Sequence, residues 1–291
     1  MMINHNKMLS LLCAVIASTT LSACQTTQSS NDVPLKSSDT YMALNERGVV
    51  NYSNGRYQQA VVAFQNSLKV NPENKEARFG LAESFYKLQD YNSALEAYQM
   101  LLSEPEYKSR ALQGIGLSEL QKGHIQEAIQ SLELAVNEDE SLWRSWNGLG
   151  QAYDYQKEWG KSENAYNQAL VYAADNQHVI HNNKGVSYLA QKRQNDAVRE
   201  FDLAAQYDAN SDYVDTNYRL ALAAQNRYDE AVLDSNVESE AKALNNVGYA
   251  AMLQGRYDDA ERLFLRAIEV SPNFYKTPYH NLQVLHELRR N

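Results

Sequence analysis

The sequence predicts an all-α fold built from repeated helix pairs. From Tyr41 onward, small residues recur with a fixed period of 34 residues, and two further series recur in the same register. The small residues are Gly48, Ala82, Gly116 and Gly150, then Ala60, Ala94, Ala128 and Ser162, and the large ones are Phe64, Tyr98, Leu132 and Tyr166. With only 12 glycines and 5 prolines, and long stretches of residues that favour helices, the composition also argues against a sheet-rich fold.

Helix packing explains why these residue types recur. Large apolar residues at helical spacing, such as Leu44, Val49 and Tyr52, predict the buried side of the first helix. Gly48 and Ala60 are expected where the two helices of the first pair cross, because only small side chains let two backbones approach closely. The pattern therefore predicts a stack of helix pairs that share one continuous core.

The period and its three series resemble the tetratricopeptide repeat (TPR) family. The resemblance implies a right-handed superhelical solenoid of about six to seven helix-turn-helix repeats over residues 41–274, followed by a capping helix over 275–291. The expected units are 41–74, 75–108, 109–142, 143–176, 178–211, 212–240 and 241–274. In the sixth unit Arg219 holds the small-residue position, and a second helix near Asp229 to Glu240 is expected to be stunted.

Charge and cysteine usage narrow the class of function. The chain has 27 basic and 36 acidic side chains, a formal net charge of −9, and a surface of that sign argues against broad nucleic-acid binding. The cysteines, Cys13 and Cys24, both precede the repeats, so the repeats hold neither a disulfide framework nor a thiolate metal site.

Residues 1–23 have the layout of a secretion signal. Lys7 precedes an apolar run, Met8 to Ala17, that is too short to span a bilayer. The following Leu21-Ser22-Ala23-Cys24 resembles the bacterial lipobox, which implies cleavage before Cys24 and covalent lipid on its thiol. No other cofactor is expected. The alternatives are a plain secretory signal cleaved near Ala23 and an uncleaved helix.

Residues 24–40 are predicted to be a flexible tether. The segment is rich in Ser, Thr, Gln and Asn and has no apolar face. Gln25 follows the lipidated cysteine, and resemblance to enterobacterial lipoproteins then implies the outer membrane, with the repeats facing the periplasm. Several acyl chains would hold the protein there stably.

The residue patterns predict a protein that is not an enzyme. His178 and His181 lie three apart on a helix, but no neighbouring carboxylate completes a metalloprotease-like motif and a zinc site needs further ligands. Gly114-Ile115-Gly116 lacks the strand and the third glycine of a phosphate loop. A cell-wall hydrolase carrying TPRs is the alternative, but the repeats and cap leave no room for a catalytic domain.

The TPR resemblance also implies an inner face, to which the fifth, ninth and twelfth residues of each unit contribute. The candidate groove for a peptide consists of carboxamide, aromatic and aliphatic residues at the fifth and twelfth positions, among them Asn45, Tyr52, Phe79, Tyr86, Gln113, Asn147, Asn182 and Asn245. Carboxamides both donate to and accept from a peptide backbone. In the alternative interpretation, the asparagines solvate this face and link adjacent repeats. Carboxylate-clamping TPR proteins carry Lys or Arg at the fifth position, which the named units lack.

One segment narrows the resemblance further. The shortened sixth unit, followed directly by ALNNVGYAAML, is similar to the TadD family of TPR lipoproteins from tight-adherence (Tad/Flp) pilus systems. Membership would imply a pilotin-like assembly factor whose protein partner is a secretin or another pilus component. The alternative is another TPR lipoprotein adaptor of the cell envelope: a type IV pilus pilotin, a barrel-assembly factor or a regulator of a cell-wall hydrolase.

Overall fold

The computed structural model describes residues 40–208, 211–232, 237–271 and 276–290. These residues form fourteen α-helices without any strand, as the repeat pattern predicts. They group into two compact units: the N-unit ends at Ala174 and the C-unit begins at Asp175. The predicted signal, the lipobox with Cys24, and the tether up to residue 39 lie outside the described residues.

The N-unit consists of four helix pairs, and in each pair the first helix is called A and the second B. The pairs are α1 (Tyr41–Ser53) with α2 (Tyr57–Val70), α3 (Lys75–Lys87) with α4 (Tyr91–Gln99), α5 (Pro105–Lys122) with α6 (Ile125–Glu138), and α7 (Trp143–Gln156) with α8 (Trp159–Tyr172). Each A helix packs against its own B helix, and the first three A helices also pack against the A helix of the next pair.

The recurring small and large residues meet inside each pair. A Cβ built on Gly150 would lie 2.5 Å from Cε1 of Tyr166, and one built on Gly116 would lie 2.5 Å from Cγ of Leu132. Tyr166 and Leu132 are fully buried. The glycine of the A helix therefore makes room for the large residue of the B helix, which confirms the packing role assigned to these series.

A second series of glycines, which the sequence analysis missed, joins neighbouring pairs. Gly80 faces the ring of Phe64 from the preceding pair, and Gly114 faces the ring of Tyr98 in the same way. Phe64 thus lies between Gly48 of its own pair and Gly80 of the next. The same large side chain closes both contacts, so each pair depends on its neighbour for its core.

Two details of the N-unit correct the sequence analysis. The third A helix begins at Pro105, four residues before the expected unit boundary at 109, because proline suits the first turn of a helix. Proline also disfavours helical backbone in the residue before it, and Glu104 is extended. The preceding α4 ends early, at Gln99. Val49, expected in the core, is 45% exposed; its neighbour Gly48 occupies the side of α1 that faces α2.

The described part of the C-unit contains two complete pairs, an incomplete one and a final helix. Its helices are α9 (Gln177–Ala190) with α10 (Gln194–Tyr207), α11 (Asp212–Ala224), α12 (Val237–Leu253) with α13 (Tyr257–Glu269), and α14 (Lys276–Arg290). Leu285 of α14 is fully buried in one core with Leu263 and Phe264, so α14 covers the last pair as a cap. No helix in the described part of either unit is both long and apolar enough to cross a membrane.

The sixth repeat is irregular, as its sequence predicts. After α11 the described chain forms only a short 3-10 turn, Glu230–Val232, and residues 233–236 lie outside the described ranges. Arg219, in the small-residue position, pairs with Asp215 at 2.7 Å and donates from Nη1 to the carbonyl oxygen of Ala231 at 2.9 Å. The Arg219 guanidinium thus contacts the short turn that lies where the sequence predicts the stunted B helix. The seventh A helix starts at Val237, so the expected boundary at 241 was four residues late.

Candidate functional site

The surface formed by the A helices, here the A-helix face, carries a buried acid in the N-unit. Glu83 of α3 is only 9% exposed. Its Oε1 accepts a hydrogen bond from the Tyr98 hydroxyl at 2.5 Å, and its Oε2 accepts one from the Tyr52 hydroxyl at 3.2 Å. Nη1 of Arg144, two repeats further on, lies 3.5 Å from Oε2. This network connects α1, α3, α4 and α7.

The protonation states suit this network. Burial raises the pKa of Tyr98 well above its ordinary value, and the negative charge of Glu83 raises it further. Burial and Glu83 also raise the pKa of Tyr52. Burial opposes the charge of Arg144, but Glu83 and the nearby tyrosines raise the pKa of the guanidinium overall. Both phenols therefore stay neutral donors and Arg144 stays charged at physiological pH.

Aromatic rings and a second arginine continue the A-helix face. The guanidinium carbon of Arg110 lies 4.0 Å from the centre of the Phe79 ring and 5.8 Å from that of Tyr107. Phe79 and Tyr98 meet edge to face with their centres 6.0 Å apart. Phe79 and Tyr107 are half-buried, whereas Arg110 is exposed. An exposed cation thus lies on a fixed aromatic platform.

Among the predicted groove residues, Phe79, Tyr52 and Tyr86 lie on this surface. Tyr86 contacts Tyr91 edge to face at 5.7 Å, and its ring centre is 6.0 Å from the Arg144 guanidinium. Burial raises the pKa of Tyr86. The structure brings these three aromatic residues together with Glu83, Arg110 and Arg144.

The carboxamides that the sequence assigns to the groove are buried in the structure. Asn45, Gln113 and Asn147 of the N-unit are each 7% exposed, and Asn182 and Asn245 of the C-unit are 2% and 4% exposed. Their role in peptide binding stays a prediction.

Several of these carboxamides hydrogen-bond to the following repeat. Asn217 donates to Oδ1 of Asn182 at 2.8 Å, and Asn281 donates to Oδ1 of Asn245 at 2.8 Å. In the N-unit, the Ser145 hydroxyl donates to Oε1 of Gln113 at 3.2 Å. These bonds match the alternative interpretation, in which the fifth positions link adjacent repeats.

The sequence analysis missed Glu83, Arg110 and Arg144. A signal was available, because Arg110 and Arg144 both occupy the second position of their expected units, and Glu83 occupies a ninth position. The groove prediction rests on the fifth and twelfth positions and therefore omits the second and the ninth. The fifth positions of the named units carry no Lys or Arg.

His178 and His181 of the C-unit each lie beside a carboxylate. His181 is buried, its Nδ1 lies 2.7 Å from Oε2 of Glu200, and Nζ of Lys184 lies 3.1 Å from Oε1 of the same carboxylate. Burial acts to raise the pKa of Glu200, but the His181 hydrogen bond and the Lys184 charge together lower it. His178 lies 3.9 Å from Asp208. Within the described ranges, no three His, Cys, Asp or Glu residues are placed to hold a metal ion.

These features define a scaffold of stacked helix pairs, and comparison with known proteins identifies its family. Tetratricopeptide repeat models match residues 45–111, 114–179 and 241–274, together more than half of the chain. The chain therefore belongs to the TPR family. No curated protein matches it.

Solved structures share the fold. A thermophilic TPR protein of Thermus thermophilus is 23% identical with a TM-score of 0.53, over 67% of this chain and 100% of its own. A TPR protein from Parabacteroides merdae is 15% identical with a TM-score of 0.54, over 97% and 92%. Human IFIT1, solved as a dimer with m7Gppp-AAAA, is 18% identical with a TM-score of 0.62, over 87% and 65%. At these identities the likeness extends to the fold alone.

Proposed function

We propose that this TPR protein is a non-enzymatic scaffold, anchored to the outer membrane through Cys24, that binds a secretin or another component during assembly of a Tad/Flp pilus. Membership of the TPR family supports a protein-binding role. The lipobox-like sequence supports the anchor, and the shortened sixth unit followed by ALNNVGYAAML supports the pilus system.

The observation that carries the binding role is the A-helix face of the N-unit. Phe79, Tyr86 and Tyr107 are half-buried and so retain area for a partner, and Arg110 is exposed beside them. Aromatic residues and arginine are the side chains most enriched at the centres of protein interfaces. The Glu83 network fixes the positions of the surrounding helices, so the partner meets a preorganised surface.

Anchorage is tested by replacing the lipidated cysteine. The Cys24→Ala protein should lose its lipid and leave the membrane fraction, while its repeats keep their helical circular dichroism spectrum. Cys13→Ala removes the other thiol and should leave both lipid and location unchanged. If the Cys24→Ala protein remains in the outer-membrane fraction as fully as wild type, this anchor is wrong.

The partner is tested in the native host by following the secretin. Deleting the gene should lower the amount of assembled secretin in the outer membrane, and wild-type protein should restore it. Purified full-length protein should also bind the purified secretin directly in a titration. Normal secretin assembly in the deletion strain, together with no direct binding, would reject the pilus role.

A further inference from the structure

Arg110 differs in its contacts from Arg144, its counterpart in the next repeat. Arg144 is paired with Glu83, whereas the described contacts of the Arg110 guanidinium are with the rings of Phe79 and Tyr107. Burial is the main cause of the raised pKa of Tyr107, and the charges of Glu106 and Glu76 raise it further, so both carboxylates lie near this residue. Within the described part of the chain, neither forms an ion pair with Arg110, so its charge is available on the A-helix face.

The geometry of Arg110 favours one kind of ligand group. A guanidinium stacked on a ring gives up part of its hydration on one face, and its planar edge still presents N–H donors in a fork. A carboxylate fits that fork with two parallel hydrogen bonds. The ring also holds the guanidinium in place, so less rotamer entropy is lost when a carboxylate binds.

We infer that this surface, formed by Phe79, Tyr86, Tyr107, Arg110 and Arg144 and called here the Arg110 surface, binds an acidic side chain in an extended segment of the partner protein. Arg110 receives the carboxylate, and the half-buried rings receive an apolar side chain next to it in the segment. The inference rests on the proposed protein-binding function and specifies the chemistry that the partner must supply.

An acidic side chain suits the surface better than other anionic groups do. The chain as a whole carries a net charge of −9, which disfavours the long row of phosphates in a nucleic acid. The fifth positions around Arg110 are Phe79, Gln113 and Asn147, which supply no second cation to enclose a chain-terminal carboxylate. Because Arg144 is paired with Glu83, the surface offers the single fork of Arg110 beside apolar rings, which matches a single Asp or Glu within a segment.

The test is selection from a random dodecapeptide display library with the purified full-length protein. Selected peptides should be enriched in Asp or Glu adjacent to a large apolar residue. The most enriched peptide, synthesised with an amidated C-terminus, should bind about 10- to 100-fold more weakly when its acid is changed to Asn or Gln. Peptides without acidic enrichment, or an unchanged affinity after the acid is neutralised, would overturn the inference.

Protein variants locate the contact. Arg110→Gln should weaken the acidic peptide about 10- to 100-fold, whereas it should leave the neutralised peptide unaffected. Arg110→Lys keeps the charge but loses the fork, so it should restore affinity only in part. Arg56→Gln is the matched control, because Arg56 is an exposed arginine of the same unit in the turn between α1 and α2. If Arg56→Gln weakens binding as much as Arg110→Gln, the loss follows from the net charge of the protein and the site is wrong.

The inference and the proposed function can fail separately. If acidic peptides are selected and their binding depends on Arg110, but the protein does not bind the secretin, then the Arg110 surface stands and the pilus role is rejected. Secretin binding that is unchanged by Arg110→Gln would keep the pilus role and reject this surface. Circular dichroism of each variant checks that the helices are intact in both comparisons.

Discussion

The A-helix faces of the N-unit and the C-unit use the same repeat positions differently. In the C-unit, Asn182 and Asn245 are each hydrogen-bonded to an asparagine of a following helix. In the N-unit, the equivalent Asn45 is buried, but its Oδ1 has no hydrogen-bond partner among the described residues. The fifth position of the next repeat is Phe79, whose ring lies under the guanidinium of Arg110.

This difference shows that a repeat position fixes where a side chain points but leaves its role open. The residues that donate to Gln113, Asn182 and Asn245 follow them by 32, 35 and 36 residues. For Asn45, the residues 32 and 35 positions later are Ala77 and Gly80, neither of which has a side-chain donor. In the N-unit, Oδ1 of Asn45 therefore takes no part in linking repeats, whereas in the C-unit Asn182 and Asn245 do.

The largest expected effect is on the contact between a glycine of an A helix and an aromatic ring of its B helix, which occurs within each unit. Gly150→Leu would force a side chain into Tyr166, so we expect a loss of about 1–3 kcal/mol or more and a lower melting temperature. Gly248→Leu in the C-unit should cost less, because its nearest built contact, Cε1 of Phe264, is 2.9 Å away and not 2.5 Å.

Gly160→Leu is the control for Gly150→Leu, because nothing lies within 4 Å of a Cβ built on Gly160. It should be neutral or slightly stabilising, because glycine inside a helix carries a backbone entropy cost of about 0.5–1 kcal/mol. Thermal unfolding followed by circular dichroism measures all three variants. Equal melting temperatures for Gly150→Leu and Gly160→Leu would contradict the packing of Gly150 against Tyr166.

An intermediate effect separates the two kinds of asparagine. Asn182→Ala leaves the buried Nδ2 of Asn217 without its acceptor and should cost about 1–3 kcal/mol. Asn45→Ala removes an acceptor that has no described partner, so its cost should be clearly smaller. Urea unfolding midpoints of the two variants provide the measurement. A larger loss for Asn45→Ala would mean that its side chain is bound in a way that the described contacts omit.

The smallest effect concerns acid stability of the C-unit. The pKa of Glu200 is lowered in the folded state, so its ionised form stabilises the fold above the unfolded pKa of about 4.3. That contribution is lost as the pH falls through the folded pKa. Glu200→Gln should therefore be less stable than wild type at pH 7, and the difference should shrink towards pH 3.

The control for this prediction is Glu269→Gln, which removes an exposed carboxylate from the same unit. Melting temperatures of both variants and wild type from pH 7 to pH 3 give the comparison. A Glu200→Gln protein whose deficit stays constant over this range would assign the loss to packing and not to the pair with His181 and Lys184.

Much of the fold could be predicted from the sequence, whereas little of the candidate site could. The series at Gly48, Ala60 and Phe64 located both helices of the first pair, and Arg219 marked the irregular sixth repeat. The groove prediction includes Phe79 and the tyrosines, which the structure leaves partly accessible, and the carboxamides, which it buries.

The sequence by itself determined the repeat register, the helical class and the family, because close helix contacts need small residues at a fixed spacing. Only the tertiary structure decided which groups of the A-helix face are available to a ligand. Glu83 meets Arg144 from two repeats away, and Arg110 meets Phe79 from the preceding repeat. A periodic pattern describes each repeat by itself, and the availability of a charge depends on which side chains from other repeats lie against it.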